Sequence, residues 1–441
     1  YIGIFDRFNW LTGHNSNFSI PTKDDRENSI EQYEHVIKTL YKYEDSSLTE
    51  VQKNTKKIAI FDAENNLKQV KEFPHHEYPL NQIGGIHLYT IEFLSNMHPI
   101  RNESEAEDFI SRANLIKKVY EGVLADLEEQ ASAGIFPPEF VYDHVIDQLS
   151  EFISYDYNEH PLYTQFLRKV KELNVGEEKE KIFEDQIKKA IDESVTPGFK
   201  ILKDFMMRTK QYANKNHGIW SQPNGDEYYK LRVRSYTTTD YSPEEIHQMG
   251  LQEVDRISSR MKEILTELGY DKNKTVGELM NELNEDPQFL YEDTPNRKEI
   301  VVSDYTEMMH EAIKIMEDYF HTMPKSEVIV KAIPEYSEQT AAGGYYQPPA
   351  IDGSRPGVFY VNLYDIKQTP KYSMRTLTYH EATPGHHHQI AHSLENEELT
   401  LYRRFGYFTS AFSEGWALYA ERLALEVGLA ENPYDELGFF S

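Results

Sequence analysis

Apolar residues along most of the chain recur at intervals of three and four, and strand-like alternation is rare. That pattern predicts a mainly α protein. The clearest helix spans 242–268: Ser242 caps it, Pro243 occupies its first turn and Glu245 completes a capping box. Ile246, Met249, Val254, Ile257, Met261, Ile264, Leu265 and Leu268 form its apolar stripe before Gly269 ends it. Further amphipathic segments are predicted at 104–132, 138–153, 177–193 and 304–321. The charge run from Glu177 to Lys181 reads as a solvated helix end.

Between Ile333 and Leu363 the helical period disappears. Pro334, Gly343, Gly344, Pro348, Pro349, Gly353, Pro356 and Gly357 precede the apolar run Val358, Phe359, Tyr360, Val361, which predicts a structured loop entering one short strand. A second turn-rich stretch, Gly218 to Gly225, precedes another possible strand at Tyr228–Tyr236. No internal repeat or low-complexity linker divides the chain. The simplest division is an N-terminal helical region, 1–200, and a second region, 201–441, with a soft boundary.

The second region carries the chemistry. Thr369 and Pro370 start a helix whose last turn bears His380 and Glu381. In an ordinary zincin motif a second His follows four residues after the first, so that both imidazoles face one metal. Here that position is Pro384, which lacks an N–H and whose ring clashes with the carbonyl of His380. The helix must bend or end there, and Gly385, able to take positive φ, lets an inserted turn carry His386 back to the metal, with His387 in reserve. A third ligand is supplied by the helical segment 410–428, closed by Gly428, in which Glu414 stands twenty-eight positions after His386. This is a gluzincin-like arrangement, in which a following antiparallel helix presents a Glu. Glu421 lies two turns further along the same face, where it either orients a ligand imidazole or sits as a plain surface or core residue; for His392 the plain reading also stands.

Composition narrows the partners. With 74 acidic against 46 basic residues and a formal charge of −28, the chain repels phosphate backbones, so nucleic acid and anionic membrane surfaces are poor partners. No apolar run is long enough to span a bilayer. Cys is absent, which excludes disulfides, thiol nucleophiles and thiolate metal sites and leaves His and carboxylates as ligands. That absence is compatible with export. The compartment stays open, with an extracellular or cell-envelope place favoured over the cytoplasm. The start at Tyr1 rather than Met, and the stop at Ser441 soon after a helix, suggest that both ends are trimmed.

HEATPGHHHQ at 380–389 and SEGWALYAERL at 413–423 resemble the bacterial family catalogued as domain of unknown function 885, placed in the gluzincin-like metallopeptidase group. The similarity extends through YYQPPAIDGSRPGVFYVNL (345–363), YSPEEIHQMGLQEV (241–254) and GIWSQPNGDEYY (218–229), and more weakly to YPLNQIGGIH near residue 80. His380, Glu381, His386 and Glu414 match the family signature. The resemblance implies a helical gluzincin-like metallopeptidase with a small β element beside the metal helix. It also implies further helices beyond the equivalent of Ser441, often bearing an Arg and a His.

The expected reaction is zinc-dependent hydrolysis of peptide bonds by metal-activated water, with Glu381 as general base. Tyr345, Tyr346 and Tyr407 are candidate oxyanion donors or packing residues. Gly357–Leu363 can pair with an extended peptide by strand addition, and Arg355 can meet a substrate carboxylate or remain solvated. By analogy a helical body around such a site gives a deep cleft suited to short peptides. The rivals are a metal-dependent hydrolase of another amide or ester, a non-catalytic peptide-binding descendant, and a di-metal carboxylate bundle. The last needs paired Glu-x-x-His motifs, which are not found.

Overall fold

The computed structural model of the chain describes residues 16–22, 24–335, 338–339, 341–350, 353–365, 367 and 369–441. Among these, sixteen α-helices and three short strands make the protein mainly helical. The chain divides into two compact units, Tyr1–Arg232 and Val233–Ser441. The division falls later than 200 because α8 (Thr196–Thr209) packs on α4 (Glu103–Ser132) and α5 (Glu139–Ser154) and so belongs with the N-terminal helices. Residues 1–15 of the expected 1–200 region lie outside the described residues, as do Ile351 and Asp352 of the loop.

The first unit is built on α4. Its residues Phe109, Ala113, Ile116, Tyr120, Val123 and Leu127 alternate at four and three and are all nearly or fully buried, forming one stripe. Against this core lie α5, α6 (Pro161–Glu172), α7 (Glu177–Ala190) and α8. The segment expected as one helix over 177–193 is α7, which opens on a turn of glutamates and passes at Ala190 into a wider turn, Ile191–Val195, leading directly into α8. Helices α1 (Asp25–Leu40) and α2 (Glu50–Glu72) pair with each other, and α3 (Ile86–Glu92) follows.

The possible strand at Tyr228–Tyr236 is instead α9, Gly225–Thr237. Tyr228 and Leu231, three apart, are its buried positions, and the Tyr228 ring meets Phe73 at 5.4 Å and His76 at 4.9 Å. A strand would have put those two side chains on opposite faces, so burial of both against one cluster selects the helix.

In the second unit, α10 (Pro243–Glu267) forms with the expected capping box: Glu245 N–H donates to Ser242 Oγ at 3.2 Å and Ser242 N–H to Glu245 Oε2 at 2.8 Å. Only the C-terminal half of its stripe is buried, by α11 (Val276–Glu285) and α16 (Pro433–Phe440); Met249 and Val254 are exposed. The helix expected at 304–321 is α12, Arg297–Met316, which starts about two turns earlier and ends more than one turn earlier.

The β element has three strands rather than one: β1 (Val328–Ala332), β2 (Gly344–Gln347) and β3 (Gly357–Val361), in the order β1-β3-β2. β3 lies parallel to β1 and antiparallel to β2, so both its edges are paired and it cannot take up a peptide by strand addition. Phe359 and Val361 of β3 join Val328 and Val330, Tyr305 and Met309 of α12, and Met374 of α13 (Lys371–Glu381) in one core. The sheet thus supports one flank of α13. Helix α15 (Ser410–Glu426) and α16 support another.

Three histidines of the first unit titrate against folding. His87, His98 and His160 are at most 1% exposed, and burial pushes them down to about 4, about 3 and about 4. The unfolded chain, with His near 6.5, binds protons that the folded chain refuses. Stability is therefore full above about pH 6.5 and falls as the pH drops toward 4, by about 3 kcal/mol per buried histidine. His87 shares 2.9 Å with Gln148 Oε1, a bond a glutamine can donate without titrating. In urea denaturation between pH 6 and 4.5, His87→Gln is expected to remove about 1.4 kcal/mol per pH unit from the slope; an unchanged slope would show that His87 does not titrate with unfolding.

Candidate metal centre

Helix α13 runs from Lys371 to Glu381, with Pro370 in the N-cap position before it. Thr369 does not cap it: its hydroxyl is buried without a hydrogen-bond partner. The helix is held by Arg375, one of the most buried cations of the unit, which meets Glu311 of α12 at 2.9 Å, Asp435 of α16 at 3.6 Å, and Glu431. It also donates to the Tyr379 hydroxyl at 2.9 Å. A guanidinium can serve several acceptors at once because its five donors point in fixed directions. Side chains one turn further on are thereby placed against α12 and α16 before the turn at Ala382–Gly385 begins.

After Glu381 the helix ends as Pro384 requires, and α14 (His386–Glu395) starts anew. The turn between them, Ala382–Gly385, is wholly buried, and its Thr383–Pro384 peptide is cis. Gly385 does not use the positive φ expected of it; its φ is −75°. Glycine is needed for space instead: a Cβ there would stand 1.9 Å from the His380 carbonyl oxygen and 2.3 Å from that of Tyr379.

This fold-back brings His380, His386 and Glu414 together. Glu414 Oε2 lies 3.4 Å from Nε2 of His380 and 3.4 Å from Nε2 of His386, and the three donor atoms fall within 4.8 Å of one another. Four ligands about 2.0–2.2 Å from a tetrahedral cation are spaced about 3.4 Å apart, so two of the three separations fit such an ion directly. His387, the reserve, is turned elsewhere: its Nδ1 is 3.0 Å from the Tyr346 hydroxyl. Glu421 Oε1 accepts from His380 Nδ1 at 2.7 Å, which leaves Nε2 as the lone-pair nitrogen facing Glu414.

Electrostatics separates the groups. Burial pulls His380 down, but the Glu421 hydrogen bond and the charges of Glu381, Glu421 and Glu414 outweigh it and hold the imidazole above its usual value. His386 moves the other way, lowered by burial and by His380. Glu381 is 5% exposed, and burial, opposed by His380 and reinforced by Glu414 and Glu421, pushes it up to about 7. One of its oxygens, Oε2, is buried without a hydrogen-bond partner. A buried carboxyl with an unsatisfied oxygen beside a triad of donor atoms is a group with capacity to exchange a proton.

The other expected residues are engaged in packing. Tyr345 stacks on Tyr360 across the β2–β3 pair at 4.8 Å, and Tyr346 is committed to His387. Tyr407 lies against Tyr402 at 5.7 Å, and His392 stacks on His388 at 6.3 Å. Arg355 braces its own loop through Pro348 O at 2.7 Å and Gln347 Oε1 at 3.3 Å. Two residues of the site had no role assigned from sequence. Trp416 donates its indole N–H to Pro384 O at 2.8 Å, and Gln389 donates to Phe412 O at 2.9 Å. The signal for the first was present: of the 3 Trp in the chain, one stands two residues after the proposed ligand Glu414.

The family described as "Bacterial protein of unknown function (DUF885)" matches residues 1–441. The chain belongs to this family. Among solved structures, the "putative lipoprotein" from Colwellia psychrerythraea is similar at 32% identity and a TM-score of 0.89, over 97% of this chain and 74% of that one. A "putative lipoprotein of unknown function" from Shewanella oneidensis shares the fold, with 17% identity and a TM-score of 0.63 over 97% of this chain and 75% of its own. No curated protein matches the chain.

The two glycines around the centre make opposite predictions. Gly385→Ala forces a Cβ into backbone oxygens and is expected to lower the stability of the chain by about 3 kcal/mol or more. Gly415, inside α15, has nothing within 4 Å of its would-be Cβ, so Gly415→Ala is expected to raise stability by up to about 1 kcal/mol. Thermal denaturation of both variants checks the pair; equal midpoints would contradict the fold-back at 385.

Proposed function

We propose that the protein is a metal-dependent hydrolase of peptide bonds, with His380, His386 and Glu414 as the ligands of a zinc ion. The observation that carries the reading is the constellation of three convergent donor atoms, a carboxylate behind His380 and a buried carboxyl at Glu381. The donor set, two imidazole nitrogens and one carboxylate oxygen without thiolate, suits zinc in a catalytic rather than a structural site. When bound, such an ion supplies Lewis acidity toward water and a substrate carbonyl.

The chain's own residues do the rest. Glu421 fixes the tautomer and ring orientation of His380. Glu381 follows His380 in the helix, so its side chain projects about 100° away, free to serve as the base rather than a ligand. Its carboxylate takes a proton from the attacking water, the water oxygen bonds to the carbonyl carbon, and the proton passes to the leaving nitrogen as the C–N bond breaks. Burial favours the protonated form of this carboxyl in the metal-free chain, which supports a role in carrying a proton. By analogy with helical metallopeptidases we extend the reading to short peptides taken into a deep cleft. The description of both structural neighbours as "putative lipoprotein" supports an envelope-associated place.

Elemental analysis of the purified chain, together with mass spectrometry of a peptide mixture before and after incubation, tests the proposal. One zinc per chain is expected, lost in His380→Ala and Glu414→Ala without unfolding. Glu381→Gln keeps the shape but cannot accept a proton, and is expected to bind zinc normally while hydrolysis falls by at least ~100-fold. Loss of metal in that variant would make Glu381 a ligand; near-normal hydrolysis would assign the base elsewhere.

A further inference from the structure

We infer that Trp416 is a positioning residue of this centre: its indole N–H, seated on the Pro384 carbonyl, sets the separation of His386 from Glu414. The inference rests on the metal-hydrolase reading above. The two ligands sit on different elements, α14 and α15, whose spacing has to be held by something other than the ligands themselves. Among the described residues three side-chain hydrogen bonds cross between these segments: Ser413 Oγ and His386 Nδ1 lie 3.5 Å apart at the ligand itself, and two shorter bonds flank the ligands. One joins Pro384 O to Trp416 Nε1 at 2.8 Å, and the other joins Gln389 Nε2 to Phe412 O at 2.9 Å.

Their places along the chain are what matter. Pro384 is two residues before His386 and Gln389 three after it; Phe412 is two before Glu414 and Trp416 two after it. Each ligand is therefore bracketed on both sides by a bond to the element bearing the other ligand. The bracket is also one-sided in its dependence on side chains: in each bond the acceptor is a backbone carbonyl and the donor a side chain, so a substitution at 416 or 389 can remove it without touching the backbone.

The indole bond is the more consequential of the two. Pro384 lies in the buried turn where no backbone amide of its own is present to tie it down, since proline has none. Its carbonyl needs a donor when buried, and the indole N–H supplies one. The indole ring itself packs against Phe320 at 6.4 Å and Tyr419 at 5.8 Å, contacts that do not involve the nitrogen's proton. Packing and positioning can thus be separated chemically.

The test replaces Trp416 with 3-benzothienylalanine, which keeps the bicyclic shape and puts sulfur where the N–H was; Trp416→Phe and Gln389→Met run beside it. Zinc affinity is measured by competition titration, the coordination geometry by the visible absorption of the cobalt(II) form, and the fold by thermal denaturation of the metal-free chain. In the isostere, zinc affinity is expected to fall about 10–100-fold, the usual scale for a supporting hydrogen bond, with an altered cobalt spectrum and an unchanged metal-free midpoint. Native affinity and spectrum in the isostere would overturn the inference and leave the metal-hydrolase reading standing. A metal-free isostere that fails to fold would also overturn it, by making the bond a fold determinant. A native chain that binds no zinc would remove the reading and the inference together.

Discussion

Everything near the centre depends on how tightly the chain reverses between Glu381 and His386. A straight helix would carry His386 away from His380, because six residues advance the chain about 9 Å along the axis. The buried turn instead folds back until the position of Gly385 is close enough to the carbonyls of Tyr379 and His380 to exclude even one methyl group. Close packing of that kind leaves few alternative arrangements. The sheet and α12 press on α13 from one side, and α15 closes the turn from the other.

The same constraint organises the charges. Carboxylates outnumber cations throughout the chain, yet around α13 each is assigned: Glu311, Glu431 and Asp435 to Arg375, Glu421 to His380, Glu414 to the space between two imidazoles. Glu381, the one carboxylate of α13 itself, has an oxygen left over. The separation of the Arg375 cluster, midway along α13, from the cluster of donor atoms at its C-terminal end follows from helical rise. Arg375 and His380 are five residues apart, about 7.5 Å along the axis.

Much of this was legible in the sequence because the residues that shape the backbone are the ones with distinctive local physics. Ser242 with Glu245 marked α10, Pro384 marked the end of α13, and the spacing of apolar positions marked α4 and α15. Strands were less visible: Val328–Ala332 is five residues long and Gly344–Gln347 four, too short for alternation to declare itself. Tyr228–Tyr236 was misread because aromatic residues favour strands, while tertiary burial of Tyr228 and Leu231 on one side overrode that preference. Tyr346 is a candidate donor by type alone, and the sequence gives no sign that its hydroxyl lies 3.0 Å from His387 Nδ1. The Trp416–Pro384 bond joins helix α15 to the turn before α14 across thirty-two positions; the sequence shows a Trp beside Glu414 but not which carbonyl its indole meets.

The exposure of Glu414 sets it apart from its two partners. Its side chain is 53% exposed, against 20% for His380 and 10% for His386. Both imidazoles are enclosed by their surroundings, whereas the carboxylate that lies against them faces solvent. The cluster of donor atoms is thus open on its carboxylate side, and that is the side from which a solute can reach it.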